Sequence, residues 1–415
     1  MVMVAKERDT EYYIDKAREL AALVAENTDR INEQRKIPTD VSNEIADAGF
    51  FRLLMPRNLG GAQLDHPDFL RIVQMFAEAD GSVGWSMNQN NVFATNSTRM
   101  NDKTREEIYT NPRAVITNGP PMSRSRAIEV DGGYSLSGRW NFSSGSDHAT
   151  WIAALTPIQN ADDGASLSDI PPSSRSNPMG GDDTRNVIQR ETMRILLIPK
   201  DEVDMVNNWQ VNGLRGTASW GFEAEGLFIP KHRTYDPAAA PREDGAVYRI
   251  PTSLLFASGF GTVAMGAARA ALDAAKELAN RKVPGNMDPA TPTLRDWSTT
   301  QRQVGEAEAI WHSARAFLRE AAGAVWKTVA AGEPLTMSQR IHMRLASTHA
   351  NRKAADVVDI AYTLCGSSAI FESNPVQRRF QDVHVINQQV QGRMTHYDTA
   401  GRFFMGMDPG RDGLF

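Results

Sequence analysis

The spacing of apolar positions changes twice along the chain. Over the first hundred residues it steps by three and four: Ile14, Ala17, Leu20, Val24 and Ile31 share one face, which predicts an amphipathic helix starting near Thr10. The stretch DVSNEIADAGFF predicts a second, shorter helix with Asp40 as its cap and an end near Gly49. Pro56, Gly60 and Gly61 then break the helical pattern. From about Arg113 to Tyr248 the pattern becomes alternating or short continuous apolar runs: AVITNG, RAIEV, YSLSGRW, WIAALTPI, MRILLIP and EGLFIP, separated by Gly, Pro and Asp turns. Between Gln159 and Arg190 the polar run ADDGASLSDIPPSSRSNPMGGDDTRN predicts a surface loop (about 159–190), either inert or a lid. From about Pro251 long helical stripes return. Val304, Ala307, Trp311, Ala314, Leu318, Ala321, Val325 and Val329 form one, and Met337, Ile341, Leu345 and Thr348 begin another. Alanine-rich seams of this kind pack as an antiparallel bundle and leave apolar surface for a subunit interface.

The pattern predicts an α+β, mostly α chain in three parts: a helical domain over 1–112, a β domain over 113–248 and a helical bundle over 249–415. Composition changes little in this picture. Of 415 residues, 41% are hydrophobic and 23% charged, an ordinary globular profile. The net charge of −5 offers nothing to nucleic acid or an anionic membrane. No apolar run approaches membrane-spanning length, and the first residues turn polar too soon for a signal peptide, so the expected setting is cytoplasmic. The single cysteine, Cys365, excludes an internal disulfide and a cysteine metal cluster. The histidines lack HExxH-type spacing.

One stretch stands apart. GRWNFSSGSDHATW (138–151) sets flat aromatic side chains beside hydroxyls and glycine, either as an aromatic strand corner or as the wall of a pocket for a flat cofactor. Asn88, Asn90 and Asn91 sit on an otherwise apolar helix, where buried amides need partners: caps, or polar groups of a substrate.

Six segments, in this order, resemble the acyl-CoA dehydrogenase fold: AGFFRLLMPRNLGG (48–61), ADGSVGWSMNQNN (79–91), GRWNFSSG (138–145), NGLRGTASW (212–220), GFGTVAMGAARAAL (259–272) and NPVQRRFQDVH (374–384). The branch most similar is that of the two-component monooxygenases using reduced FMN or FAD. The resemblance implies an N-terminal helical domain, a barrel-like middle β domain and a C-terminal four-helix bundle that builds a tetramer. It also implies a separate NAD(P)H:flavin reductase, O2 as co-substrate, and a small aromatic or heteroaromatic substrate hydroxylated through a C4a-hydroperoxyflavin. A dehydrogenase of this fold needs a carboxylate base, yet no Asp or Glu lies between Val383 and Tyr397. The alternatives are a dehydrogenase with a displaced base, an enzyme of the same fold oxidising nitrogen or sulfur, and a scaffold without flavin.

The resemblance also assigns roles. Ser144 falls near flavin N5, Trp140 and Phe142 in the cavity wall, and Asn118 at a strand end facing the cavity. Arg215, Thr217 and Ser219 belong to a loop over the flavin, where Ala218 departs from the usual glycine. Arg295 and Arg302 are the candidates for the flavin phosphate, reaching a neighbouring subunit. Trp85, Asn90 and Asn91 face substrate. Gln389 stands where relatives carry a histidine, and His396 lies about two turns further on if the helix continues.

Overall fold

The computed structural model describes residues 9–120, 122, 125–159, 193–283 and 292–410. Apart from Gln159, the loop expected at 159–190 lies outside the described residues.

Helix α1 (Thr10–Glu26) buries Ile14, Ala17, Leu20 and Val24, and the Asp9 carboxylate caps it by accepting from the Tyr12 amide. Helix α2 (Thr28–Gln34) buries Ile31. In α3 (Thr39–Asp47) the N-cap position falls to Pro38. Asp40 lies inside the first turn, where it pairs with Arg30 at 2.9 Å, so it is not the cap that the sequence suggested. Helices α4 (His66–Ala79) and α5 (Gly81–Ala94) follow, with Asp80 between them accepting from the amides of Ser82 and Val83 to cap α5. Helix α6 (Asp102–Tyr109) leads into the sheet.

The strands are β1 (Ile116–Gly119), β2 (Arg126–Val130), β3 (Gly133–Ser143), β4 (Trp151–Gln159), β5 (Met193–Pro199), β6 (Asp204–Val206), β7 (Trp220–Pro230) and β8 (Thr234–Tyr235). They order as β6-β7-β3-β2-β4-β5-β8, with β1 parallel to β4. The register of β3 against β7 slips between Trp140 and Ser143. Phe142 adopts φ 61° at this bulge, and the next two residues re-aim into the protein.

Helices α7 (Thr252–Arg281), α8 (Ser298–Ala330), α9 (Met337–Cys365), α10 (Pro375–Ile386) and α11 (Thr395–Phe404) form the bundle. The α8 stripe is buried as its spacing predicts, from Ala307 to Val329. Helix α7 is long and apolar enough to cross a membrane, with mean hydropathy 1.3 in its most apolar window, which the sequence reading did not anticipate. Within the fold 83% of that window is buried, so its apolar surface serves as the bundle core. The seam is tight at Gly259: a Cβ there would lie 1.8 Å from Asn88 Oδ1, so only glycine lets α5 press onto α7. That contact sets Trp85 against Phe260.

Candidate active site

Every residue of α5 is buried except Trp85 and Gln89, one turn apart on the same face. The Trp85 indole stacks on Phe260 at 3.9 Å between centroids, and Phe260 stacks on Phe256 at 5.9 Å, giving a three-ring wall along α7. Trp85 Nε1–H donates to Ser144 Oγ at 2.9 Å. Ser144 Oγ lies 2.8 Å from Ser219 Oγ, which lies 2.7 Å from Thr217 Oγ1, which donates to the Leu214 carbonyl at 2.9 Å. Each hydroxyl has one proton. With Thr217 spending its own on Leu214, Ser219 donates to Thr217 and Ser144 donates to Ser219. The chain runs one way, from indole to carbonyl, and leaves Ser144 as an acceptor. Its three hydroxyl residues are 5% exposed or less.

The loop carrying Thr217 and Ser219 is held from below. Leu214 and Ala218 have φ 51° and 43°, a left-handed backbone that L side chains resist. Asp382 Oδ1 accepts from the Leu214 amide at 2.6 Å, and Ser82 Oγ accepts from the Gly216 amide at 3.1 Å. Gly213 lies against α10, where a Cβ would meet Gln381 O at 2.3 Å. Arg379 bridges Asp382 and Asp80, at 3.9 and 3.8 Å. Burial, then the Asp80 charge, raises the Asp382 carboxyl above its usual range, while Arg379 opposes the shift. This buried cluster ties α5, the loop and α10 together. Asp80 and Asp382 are the only fully buried carboxylates among the described residues.

Asn118, half-buried on β1, accepts from Gln89 Nε2 at 2.7 Å and so joins the Trp85 face of α5. Arg215 is half-buried, has no carboxylate within ion-pair distance among the described residues, and leaves Nε buried without a partner there.

The other expected residues lie elsewhere. Trp140 is fully buried between the strands, stacked on Phe222 at 4.9 Å with Nε1 donating to Leu155 O, and is core of the β domain rather than a cavity wall. Phe142 is 48% exposed, flung outward by the bulge. Asn91 is fully buried. Its amide holds the backbone of Phe50, Leu53 and Met87. Asn90 accepts at 3.0 Å from His148 Nε2, whose ring stacks on Phe51. Burial pushes His148 down to about 4.

Arg295 is exposed at the start of α8, beside the end of α7 where Leu294 N–H meets Lys282 O. Phe260 to Lys282 spans about 33 Å of helix, so within one chain Arg295 does not join the hydroxyl chain. The helix carrying Asp382 does not continue to His396: α10 ends at Ile386, a short turn caps on Gln389, and α11 begins at Thr395. His396 packs on α9 with Nδ1 2.9 Å from Thr348 Oγ1. Gln389 Oε1 accepts from the Gln391 amide at 2.8 Å, and its Nε2 is buried without a partner among the described residues.

Sequence reasoning missed Gln89, Phe256, Phe260 and Asp382. Gln89 was discoverable, one turn from Trp85. The two phenylalanines read as ordinary core.

Comparison with known proteins shows the family of the fold. The acyl-CoA dehydrogenase N-terminal domain model matches residues 8–107, and the C-terminal domain model matches 258–392. Indole-3-acetate monooxygenase of Pseudomonas putida is 30% identical over 383 residues, covering 91% of this chain and 90% of that protein. The flavin-dependent monooxygenase oxygenase subunit HsaA of Rhodococcus jostii is 26% identical, covering 95% and 97%. The structure of XiaF from Streptomyces sp. in complex with FADH2 and glycerol superimposes with TM-score 0.82 at 18% identity, covering 96% of each chain. The chain belongs to the flavin-dependent monooxygenases of the acyl-CoA dehydrogenase fold.

Proposed function

We propose that this chain is the oxygenase component of a two-component system that hydroxylates a small aromatic or heteroaromatic substrate. Reduced FMN or FAD comes from a separate NAD(P)H:flavin reductase, and O2 is the co-substrate. The observation that carries the reading is the direction of the hydroxyl chain. A reduced isoalloxazine ring bears an N5–H donor, whereas the oxidised ring bears an N5 acceptor. Ser144, its proton spent on Ser219, offers an acceptor and therefore fits the reduced form.

When bound, the reduced flavin supplies activation of O2 and transfer of one oxygen atom. The chain's own residues hold and shield it. Ser144 would accept from the N5–H of a bound reduced flavin, since Trp85, Ser219 and Thr217 keep its own proton turned away. Trp85, Phe256 and Phe260 wall the space with apolar surface and exclude water. Arg215 is free to meet an anionic group of the flavin. Gln89 and Asn118 present carboxamides to the substrate, and Gln389 offers its buried Nε2–H donors from the α10–α11 connection. Trp140, Phe142, Asn90 and Asn91 act as scaffold, and His396 holds the connection to α9.

A dehydrogenase needs a free carboxylate base. Both fully buried carboxylates among the described residues, Asp80 and Asp382, are committed to backbone amides, which weighs against that alternative. The assembly we propose is a cytoplasmic homotetramer built through the bundle, which sedimentation would test.

Mixing the protein anaerobically with reduced flavin and then admitting oxygen tests the function. A lag before the oxidised-flavin absorbance returns is expected, and instant return with stoichiometric hydrogen peroxide would sink the reading.

A further inference from the structure

On the other side of α7 from the aromatic wall, a cavity of about 180 Å³ lies between α4, α7 and α8. Helix α7 gives it Thr262 and Met265. At about 3.6 residues per turn these point away from Phe256 and Phe260, so the cavity is separate from the hydroxyl chain. Its depth is aliphatic: Leu70, Met265, Leu318 and Ala322 line it and are all buried.

The rim is cationic. Arg71 on α4 and Arg315 and Arg319 on α8 line the same cavity. Arg315 Nε and Arg319 Nη2 donate to one neutral acceptor, Gln74 Oε1, at 2.9 and 3.2 Å. Among the described residues neither has a carboxylate within ion-pair distance. Glu78, the acid that acts on both, is held off by the other end of that carboxamide, whose Nε2 donates to it at 2.7 Å. Arg71 has its own partner in Asp68 at 2.9 Å. Burial lowers Arg315 and Arg319 from their ordinary value, and the charges of Arg315 and Arg71 lower Arg319 further. The Arg315 guanidinium lies 5.0 Å over the Trp311 ring, which fixes its direction. Two like charges thus converge on one uncharged oxygen at the mouth of an apolar cavity, and a bound anion would relieve their repulsion.

We propose that this cavity binds a compact aliphatic monocarboxylate. The carboxylate replaces Gln74 Oε1 as the shared acceptor of Arg315 and Arg319, and the hydrocarbon part lies on Leu70, Met265, Leu318 and Ala322. The planar N–H forks of arginine match the two oxygens of a carboxylate. The volume is below the roughly 300 Å³ at which drug-sized sites begin, which limits the hydrocarbon part to a small ring or short branched chain. A bare inorganic anion leaves the aliphatic lining unused, and a neutral isostere leaves the arginines unmatched. The site goes beyond the oxygenase reading and does not depend on it.

Calorimetric titration of the full-length protein with cyclohexanecarboxylate, cyclohexanecarboxamide and inorganic phosphate tests the proposal. The carboxylate is expected to bind at least about tenfold more tightly than either of the others. Arg319→Gln, at the exposed rim, removes that preference without lowering the melting temperature. Ala322→Leu, which takes up cavity volume, weakens the carboxylate by about tenfold while phosphate is unaffected. A parent protein that binds acid and amide alike, or that binds phosphate as tightly as the acid, overturns the proposal, as does an Arg319→Gln variant that keeps the preference. A parent that binds no carboxylate, and whose sedimentation coefficient falls on Arg319→Gln, overturns it too, by placing a second copy of the chain over the arginines.

Discussion

Two buried charges on neighbouring helices are treated in opposite ways. Asp382 on α10 is held by an amide of the site loop and by Arg379, which also reaches the helix cap Asp80. Arg344 on α9 finds only neutral oxygens. Burying a charge is costly unless it is paired and hydrogen-bonded. The first charge is therefore structural, fixing where Thr217 and Ser219 stand. The second is held by neutral oxygens alone and has no carboxylate within ion-pair distance among the described residues.

Removing each group should separate them. Asp382→Ala strands the Leu214 amide and the Arg379 charge, and should cost about 4 kcal/mol of unfolding free energy in denaturant titration. A loss below about 1 kcal/mol would mean the cluster does not hold the loop.

His148 buries a titratable group in a third way, as the neutral form. Its folded value of about 4 lies below its ordinary 6.5, as does that of His66, also about 4 from burial. The unfolded chain binds these protons first, so stability from both is present above 6.5 and lost as pH falls toward 4. Each contributes about 3 kcal/mol. Asp382 works in the opposite sense: its raised carboxyl gains a proton more readily when folded and offsets part of the loss. His148→Asn should flatten the acid side of the stability curve by roughly half, and an unchanged curve would place the acid sensitivity elsewhere.

Ala218 pays for its left-handed φ of 43° in strain. Ala218→Gly should stabilise the protein by about 1 kcal/mol, visible as a higher melting temperature. The smallest effect is expected at Arg344. Arg344→Met, filling similar volume without a charge, should change stability by less than about 1 kcal/mol. A loss as large as that of Asp382→Ala would erase the contrast.

Much of this was legible in the sequence, because period and turn chemistry carry it. The helical, β, helical order, the strand runs and the α8 stripe all follow from spacing. Ser144, Thr217, Ser219 and Trp85 were named in advance, and the structure brings them into one chain of hydrogen bonds. Other positions were not legible for physical reasons. Trp140 and Phe142 are two apart in one strand, but a bulge between Trp140 and Ser143 decides which way each points, and sequence period does not reveal it. Asn90 and Asn91 advertise polarity without saying that their partners are the His148 imidazole for one and, for the other, the backbone of Phe50 and Leu53. The helix break after Ile386 carries no Pro or Gly until Gly392, so continuation to His396 was the natural reading. Arg344 and Asp382 look like surface charges on amphipathic helices until packing shows them buried.

The central claim is that Ser144 is an acceptor poised for a donor on reduced flavin. Equilibrium binding of reduced and oxidised flavin, to the parent and to Ser144→Ala, tests it most directly. The account predicts that the parent prefers reduced flavin by at least about tenfold and that Ser144→Ala loses most of that preference. Equal affinity of the parent for both forms, or a preference that survives Ser144→Ala intact, would contradict it.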